Sequence, residues 1–267
     1  MMALFSRRAR CSAVIAAGGA SDRMAGTDKL FAELGGVPVL ARSVIAFAGC
    51  VEIDEVIVAV RREAIELAAD LCAKYAGGAD IKVVVGGDTR ARSVYNGVFA
   101  SSPRSGLIAI HDGARPFVSA GHIIKTISAA RAHGAAALAV PVVSTLKTAQ
   151  RGIVSGTVDR RGMYETQTPQ VFRAEIIKAA LTGALKKSLD MTDDCMAVEA
   201  LGFPIHIVQG DRRNIKITER GDFALAEAIA AAFDGGAPEN GERDEIAATR
   251  SPRSAVTKPA AARGGRR

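Results

Sequence analysis

Ser12-Ala13-Val14-Ile15-Ala16-Ala17-Gly18-Gly19 is a short apolar run that stops on two glycines. It reads as a buried strand, Ser12–Ala17, feeding a glycine loop. Outward from it, Val39–Phe47 has helical spacing, Glu55–Val60 is β-rich, and Arg62–Tyr75 is an Ala/Leu helix pattern. Ile81–Val85 is another strand, halted by Gly86-Gly87, and a helix runs through Ser93 and Val98. A strand at Leu107–Ile110, a helix at His122–His133 and a strand at Ala136–Val140 follow. Short β-rich runs alternating with helical patterns of roughly 10–15 residues predict βαβ units in a mostly parallel sheet, an α/β fold.

Around Val142–Val158 the pattern changes. Thr145–Ala149 and Ile153–Val158 flank the turn signal Gln150-Arg151-Gly152, which predicts a hairpin arm projecting from the sheet. Helices near Ala174–Leu185 and Asp193–Leu201, a strand at Ile205–Val208 and a last helix at Gly221–Phe233 complete the pattern. The expected organisation is a basic N-terminal extension over 1–11, one domain over 12–234 with its arm at about 142–170, and a tail over 235–267. The tail has only Ile246 and Val256 as branched aliphatics and no aromatic residue, so it is expected to be disordered.

The chain has 267 residues, enough to bury a core without staples. Hydrophobic residues are 48% and charged residues 24%, ordinary for a globular protein. No apolar run approaches the roughly 18 residues of a membrane span. The basic Met1–Arg10 segment is not followed by the apolar stretch and cleavage site of a secretory signal. The four cysteines, Cys11, Cys50, Cys72 and Cys195, are scattered without a C-x-x-C pair. A reduced, cytoplasmic protein without a zinc site is expected. Of the net charge of +7, three charges come from Arg7, Arg8 and Arg10, and three from the excess of Lys and Arg over Asp and Glu after Gly235. The domain itself is nearly neutral, which argues against a nucleic-acid partner.

The loop Ala16–Lys29 lies where α/β sheets bind ligands. From Gly18 it does not spell the G-x-G-x-x-G of a dinucleotide site, and Asp28-Lys29 does not complete a P-loop. Small residues whose amides can cradle phosphate remain, followed by the cations Arg23 and Lys29, which suits a triphosphate. Gly86-Gly87-Asp88-Thr89-Arg90 follows the third strand, where glycines let a base lie on backbone and Asp88 or Thr89 can cap the next helix. His111-Asp112-Gly113-Ala114-Arg115-Pro116 ends another strand with an Asp–Arg pair that can meet a metal–phosphate cluster from both signs or simply pair within the fold. In the arm region, Ser144-Thr145-Leu146-Lys147, Asp159-Arg160 and Gln167-Thr168-Pro169-Gln170 offer hydroxyls and a guanidinium for a phosphate grip. Thr192-Asp193-Asp194, with Thr192 as the expected helix cap, and Asn214-Ile215-Lys216-Ile217-Thr218 come last.

Seven motifs in this order, from AAGG and RM to NIKIT, make the chain resemble the 2-C-methyl-D-erythritol 4-phosphate cytidylyltransferases over about Ser12–Phe233. It departs from that pattern at Ser21-Asp22 before Arg23, at Asp28 where proline is usual, and at Gly113 where alanine is commonest. The resemblance implies a single Rossmann-like sheet flanked by helices, with the hairpin arm making a homodimer. It implies transfer of CMP from CTP to the sugar phosphate with release of pyrophosphate. Arg23 and Lys29 would stabilise transition-state charge. Ala16, Ala17, Gly18, Gly19, Gly87, Asp88, Ser93 and Gly113 would bind CTP. Asp112, Arg115, Thr145, Arg160, Thr168, Thr192 and Lys216 would bind the sugar phosphate. Arg160 and Lys216 would orient it, with Arg160 and Thr168 acting across the dimer interface. Mg²⁺ or another divalent cation would be held mainly by the CTP phosphates, with Asp112 as the neighbouring carboxylate. The same motifs leave two rivals open: a cytidylyltransferase for another polyol phosphate such as ribitol 5-phosphate, and a nucleotide-binding regulatory module without catalysis.

Overall fold

The computed structural model describes residues 9–19 and 28–234. The calls on Arg23 and on the tail over 235–267 fall outside those residues. β1 (Arg10–Ala17) is buried on both faces, as its unalternating sequence requires. It begins inside the expected N-terminal extension, because Arg10 and Cys11 pair with Ser105 and Leu107. After the short hairpin β2 (Glu33–Leu34) and β3 (Val37–Pro38) come α1 (Val39–Ala48), β4 (Glu55–Val60), α2 (Ile65–Ala76) and β5 (Ile81–Val85). Arg62–Ala64, expected as the first turn of α2, is a separate 3₁₀ turn. Then follow α3 (Arg90–Ala100), β6 (Ser105–Asp112), α4 (Ala120–His133) and β7 (Ala135–Pro141).

The arm is the hairpin β8 (Lys147–Gln150) and β9 (Ile153–Thr157). Gln150 pairs with Ile153 across a two-residue turn. Both turn residues have positive φ, 50° at Arg151 and 80° at Gly152, the backbone that twists with the flanking strands. Thr145, expected inside the first arm strand, lies in the loop before it.

The chain returns not by loop but by a long strand, β10 (Tyr164–Arg173), which carries Thr168 and lies antiparallel between β6 and β7. The expected arm boundary near 170 is therefore too late: residues from Tyr164 onward belong to the main sheet. α5 (Ala174–Lys186), α6 (Asp194–Glu199), β11 (His206–Gln209) and α7 (Asp222–Asp234) complete the chain.

The seven-stranded sheet runs β11-β7-β10-β6-β1-β4-β5. Every neighbouring pair is parallel except the two made by β10. Cys11, Ala13, Ile15 and Ala17 of β1 pack with α1, α2 and α4 on one face, and Val14 packs with α3, α5 and α6 on the other. A third cluster joins Leu34 and Val39 to Ile217 and to Ala226 and Ile229 of α7. Register puts Ala16 beside Asp112, so the end of β1 and the end of β6 open onto the same edge of the sheet.

Candidate active site

At that edge the glycine loop and α3 meet at close range. A β-carbon on Gly18 would stand 2.3 Å from Ser93 Oγ, and one on Gly86 would stand 2.7 Å from it. Ser93 is fully buried. Its hydroxyl donates to the carbonyls of Thr89 (2.9 Å) and Gly87 (3.2 Å) and accepts from the Gly87 amide (3.0 Å). Ser93 thus supports the glycine loop from beneath, its single proton shared between two carbonyls and one oxygen lone pair left over. Thr89 is the cap of α3, accepting from the Arg92 amide, and Asp88 is left exposed on the loop. Gly113 is tight as well: its amide donates to the Ala16 carbonyl, and a β-carbon there would lie 3.1 Å from Leu40.

Asp112, at the end of β6, is the centre of a charged cluster. Arg90 Nε donates to its Oδ1 at 2.8 Å, Lys216 Nζ lies 2.9 Å from its Oδ2, and Arg115 Nε lies 3.6 Å from Oδ2. Burial disfavours the charge, yet Arg90, Lys216 and Arg115 hold the carboxyl far below the usual carboxylate range. Arg90 also grips Asp194 with two bonds of 2.8 and 3.2 Å. The five ionised groups, three cations and two carboxylates, sum to +1, an excess suited to an anionic ligand. Arg115 is further fixed by the carbonyl of Asn214 at 2.7 Å. Its Nε and the buried Asn214 Oδ1 have no hydrogen-bond partner among the described residues.

Thr168 belongs to this cluster rather than to the arm. It is buried, and its hydroxyl accepts from the Asp112 amide (3.1 Å) and donates to His111 Nδ1 (2.9 Å). The other His111 nitrogen donates to the Arg115 carbonyl (3.0 Å), which assigns the neutral tautomer from the network. Burial pushes the His111 imidazole down to about 4. Within its own chain the Thr168 hydroxyl thus holds the Asp112 backbone. Thr192 is exposed and does not cap α6; Asp193 does, accepting from the Met196 amide. Gln170 Oε1 receives the amides of Asp194 and Cys195, tying that helix to β10.

The remaining candidates stand apart. Near Lys29, burial pushes the Asp222 carboxyl up, but the amides of Thr218 and Glu219 and the Thr218 hydroxyl hold it below its usual range, with a smaller contribution from the Lys29 charge. Asp28, next to it, receives the Leu30 amide (3.1 Å) and pairs with Arg61. In the arm region, Arg160 is exposed and donates to the Val143 carbonyl, away from the hydrogen-bond network of Asp112.

Arg90, His111, Gln170, Asp194 and Asn214 were not singled out from sequence. Arg90 leaves a readable trace: it opens a helix with no acid in its first turn. A cation there opposes the helix dipole and calls for acidic partners elsewhere.

A resident divalent ion does not fit these residues. Among the described residues no group of three or more His, Cys, Asp or Glu could hold a metal. Both Asp112 oxygens are already engaged by cations.

The sequence pattern of the 2-C-methyl-D-erythritol 4-phosphate cytidylyltransferase family fits residues 11–232. An enzyme of that name from Caldanaerobacter subterraneus subsp. tengcongensis is 41% identical over 219 residues, covering 81% of this chain and 96% of its own. One from Bacillus velezensis is 39% identical over 224 residues, covering 83% and 96%. The crystal structure of 4-diphosphocytidyl-2C-methyl-D-erythritol synthase from Anaerococcus prevotii superposes with a TM-score of 0.74 at 33% identity, covering 82% of this chain and 95% of that one. The cytidylyltransferase of Thermus thermophilus superposes with a TM-score of 0.70 at 33% identity, covering 83% and 99%.

Proposed function

Because the chain belongs to the 2-C-methyl-D-erythritol 4-phosphate cytidylyltransferase family, we infer that the edge shared by β1 and β6 is where its two phosphorylated substrates react. The protein is a CTP-dependent nucleotidyltransferase that transfers CMP from CTP to 2-C-methyl-D-erythritol 4-phosphate. An oxygen of the sugar phosphate bonds to the α-phosphorus of CTP. The bond from that phosphorus to the bridging oxygen breaks, and pyrophosphate leaves with the electron pair.

The chemistry brings one anion onto another. At 4 Å and an effective dielectric of 20, each pair of unit charges opposes the approach by about 4 kcal/mol. The observation that carries the reading is the cationic cluster around Asp112. Lys216 and Arg115, held by a fixed carboxylate, form a receptor whose charged heads need little rearrangement when the sugar phosphate arrives. Ala16, Ala17, Gly18, Gly19, Gly87 and Gly113 form the nucleotide side, with Asp88 at its rim and Ser93 supporting it. Arg23 and Lys29 are assigned to stabilise charge on the α-phosphate and the leaving pyrophosphate. Thr145, Arg160 and Thr192 complete the acceptor pocket, with Arg160 supplied by the arm region of a second copy. Mg²⁺ enters as the counter-ion of CTP, and no step above is assigned to a protein-held metal. The domain is taken as 10–234 with a shorter arm, and the protein as a cytoplasmic homodimer. Among the described residues no helix is long and apolar enough to cross a membrane.

The test is pyrophosphate release from CTP and Mg²⁺ with methylerythritol 4-phosphate and ribitol 5-phosphate offered in parallel. Turnover with the branched acceptor and none with ribitol phosphate is expected. A preference for ribitol phosphate would overturn the acceptor assignment, and CTP binding without turnover on either would overturn catalysis.

A further inference from the structure

Arg90 sits where a helix least favours a cation. It follows the Thr89 cap, and the first turn of α3 contains no acid. Its guanidinium joins two carboxylates from different parts of the chain: Asp112 at the end of β6, and Asp194 at the start of α6. The Asp194 side chain is 1% exposed, while that of Arg90 is 27% exposed. A planar fork of donors can serve both acids at once, which a single ammonium cannot do in the same geometry.

The consequence falls on Asp112. With Oδ1 held by Arg90, the carboxylate presents Oδ2 to Lys216 and Arg115. Its orientation decides where those two cations stand. Released from Arg90, both oxygens could turn onto Lys216 and Arg115, drawing the cations together and quenching the charge an incoming phosphate must meet. The nucleotide loop has supports of its own: Ser93 holds Gly87 and the Thr89 carbonyl, and the Thr89 hydroxyl caps the helix through the Arg92 amide.

We propose that Arg90 is a positioning residue for the acceptor half of the reaction, fixing Asp112 so that Lys216 and Arg115 are set to receive the sugar phosphate. This rests on the cytidylyltransferase reading above. Arg90 touches neither substrate in this account; it acts through Asp112.

Removing Arg90 alone leaves Asp194 buried and unpaired, a threat to folding that says nothing about positioning. The informative variant is therefore Arg90→Gln combined with Asp194→Asn. It is compared with Asp194→Asn alone and with Arg90→Lys, by steady-state pyrophosphate release and thermal melting of the full chain. The double variant should keep its KM for CTP within about twofold while its KM for methylerythritol phosphate rises about tenfold or more and kcat falls. Asp194→Asn alone should lower the melting temperature yet change the acceptor KM clearly less than the double variant does, because Arg90 still holds Asp112. Arg90→Lys keeps the charge without the fork, and should recover part, not all, of the acceptor KM.

A folded double variant with the parent's acceptor KM would overturn the proposal, as would both KM values rising together. Should the double variant fail to melt cooperatively, Arg90→Lys carries the test, and an acceptor KM equal to the parent's overturns it. Absence of turnover in the parent with either acceptor would strike the underlying function instead, so the two failures are distinguishable.

Discussion

His111 shows how a residue remote from solvent shapes the site. Its neutral ring links Thr168 to the Arg115 carbonyl and so braces the backbone on either side of Asp112. Its folded pKa of about 4 lies below the unfolded value of about 6.5. Between those values the unfolded chain takes up a proton that the folded chain refuses. The stabilisation is therefore complete above about pH 6.5 and is lost as pH falls toward 4, by up to about 3 kcal/mol. Asp112, whose pKa is depressed, adds its own loss at more acid pH, and Asp194, pushed up by burial, works in the opposite sense. Urea unfolding of the parent and of His111→Gln at pH 7 and pH 4.5 isolates the imidazole: the parent should lose more stability on acidification. Equal losses would mean that the ring is not held neutral. For the cations, Lys29→Ala is expected to cost about 10²–10³ in rate, in the manner of one lost transition-state donor. Arg160→Ala should lower turnover strongly with CTP affinity nearly intact; a matching fall in CTP affinity would refute its assignment to the acceptor.

The elements around the nucleotide loop are packed too closely to tolerate added atoms. Gly18 and Gly19 look alike in sequence but differ in space: a methyl on Gly18 strikes Ser93, whereas one on Gly19 meets nothing within 4 Å among the described residues. Gly18→Ala should therefore weaken CTP binding, and Gly19→Ala should do so far less. Calorimetric titration with CTP decides this, and equal effects would refute the packing argument. These elements also show what could be read beforehand. β1, β4 and β7 were legible because burial on both faces leaves an unbroken apolar run, and β5, a part-buried edge strand, because Ile81 and Val83–Val85 are β-branched. β10 was not: Tyr164-Glu165-Thr166-Gln167-Thr168-Pro169 is polar and contains proline, so it reads as loop. Gln167 and Thr168 are nevertheless buried, each with a polar partner: Gln167 donates to the Asp211 carbonyl and Thr168 binds His111. Asp112, Arg115 and Lys216 could be found from motif order. The joining of Asp112 to Asp194 could not, since their partner Arg90 lies far from both along the chain.

At the scale of the whole molecule, the arm is apolar where a solitary hairpin should be polar. Val143, Ile153 and Val154 are 57%, 74% and 59% exposed. Exposed branched residues on a two-stranded ribbon point to a covering partner. Ile153→Asp with Val154→Asp should shift the protein toward monomer in sedimentation and reduce turnover per chain while CTP still binds; an unchanged dimer would remove the arm from the interface. The arm leads into the sheet edge proposed as the active site, since the chain after it becomes β10, where Thr168 and Gln170 are anchored. A strand has a phase of two, like a reading frame with two settings. Residues added at the Arg151-Gly152 tip lengthen the ribbon and leave that frame intact. A single residue inserted between Met163 and Thr168 would shift it, turning inward-facing groups outward all the way to Gln170. Evolutionary change in arm length should therefore collect at the tip, leaving the segment after Met163 constant in length.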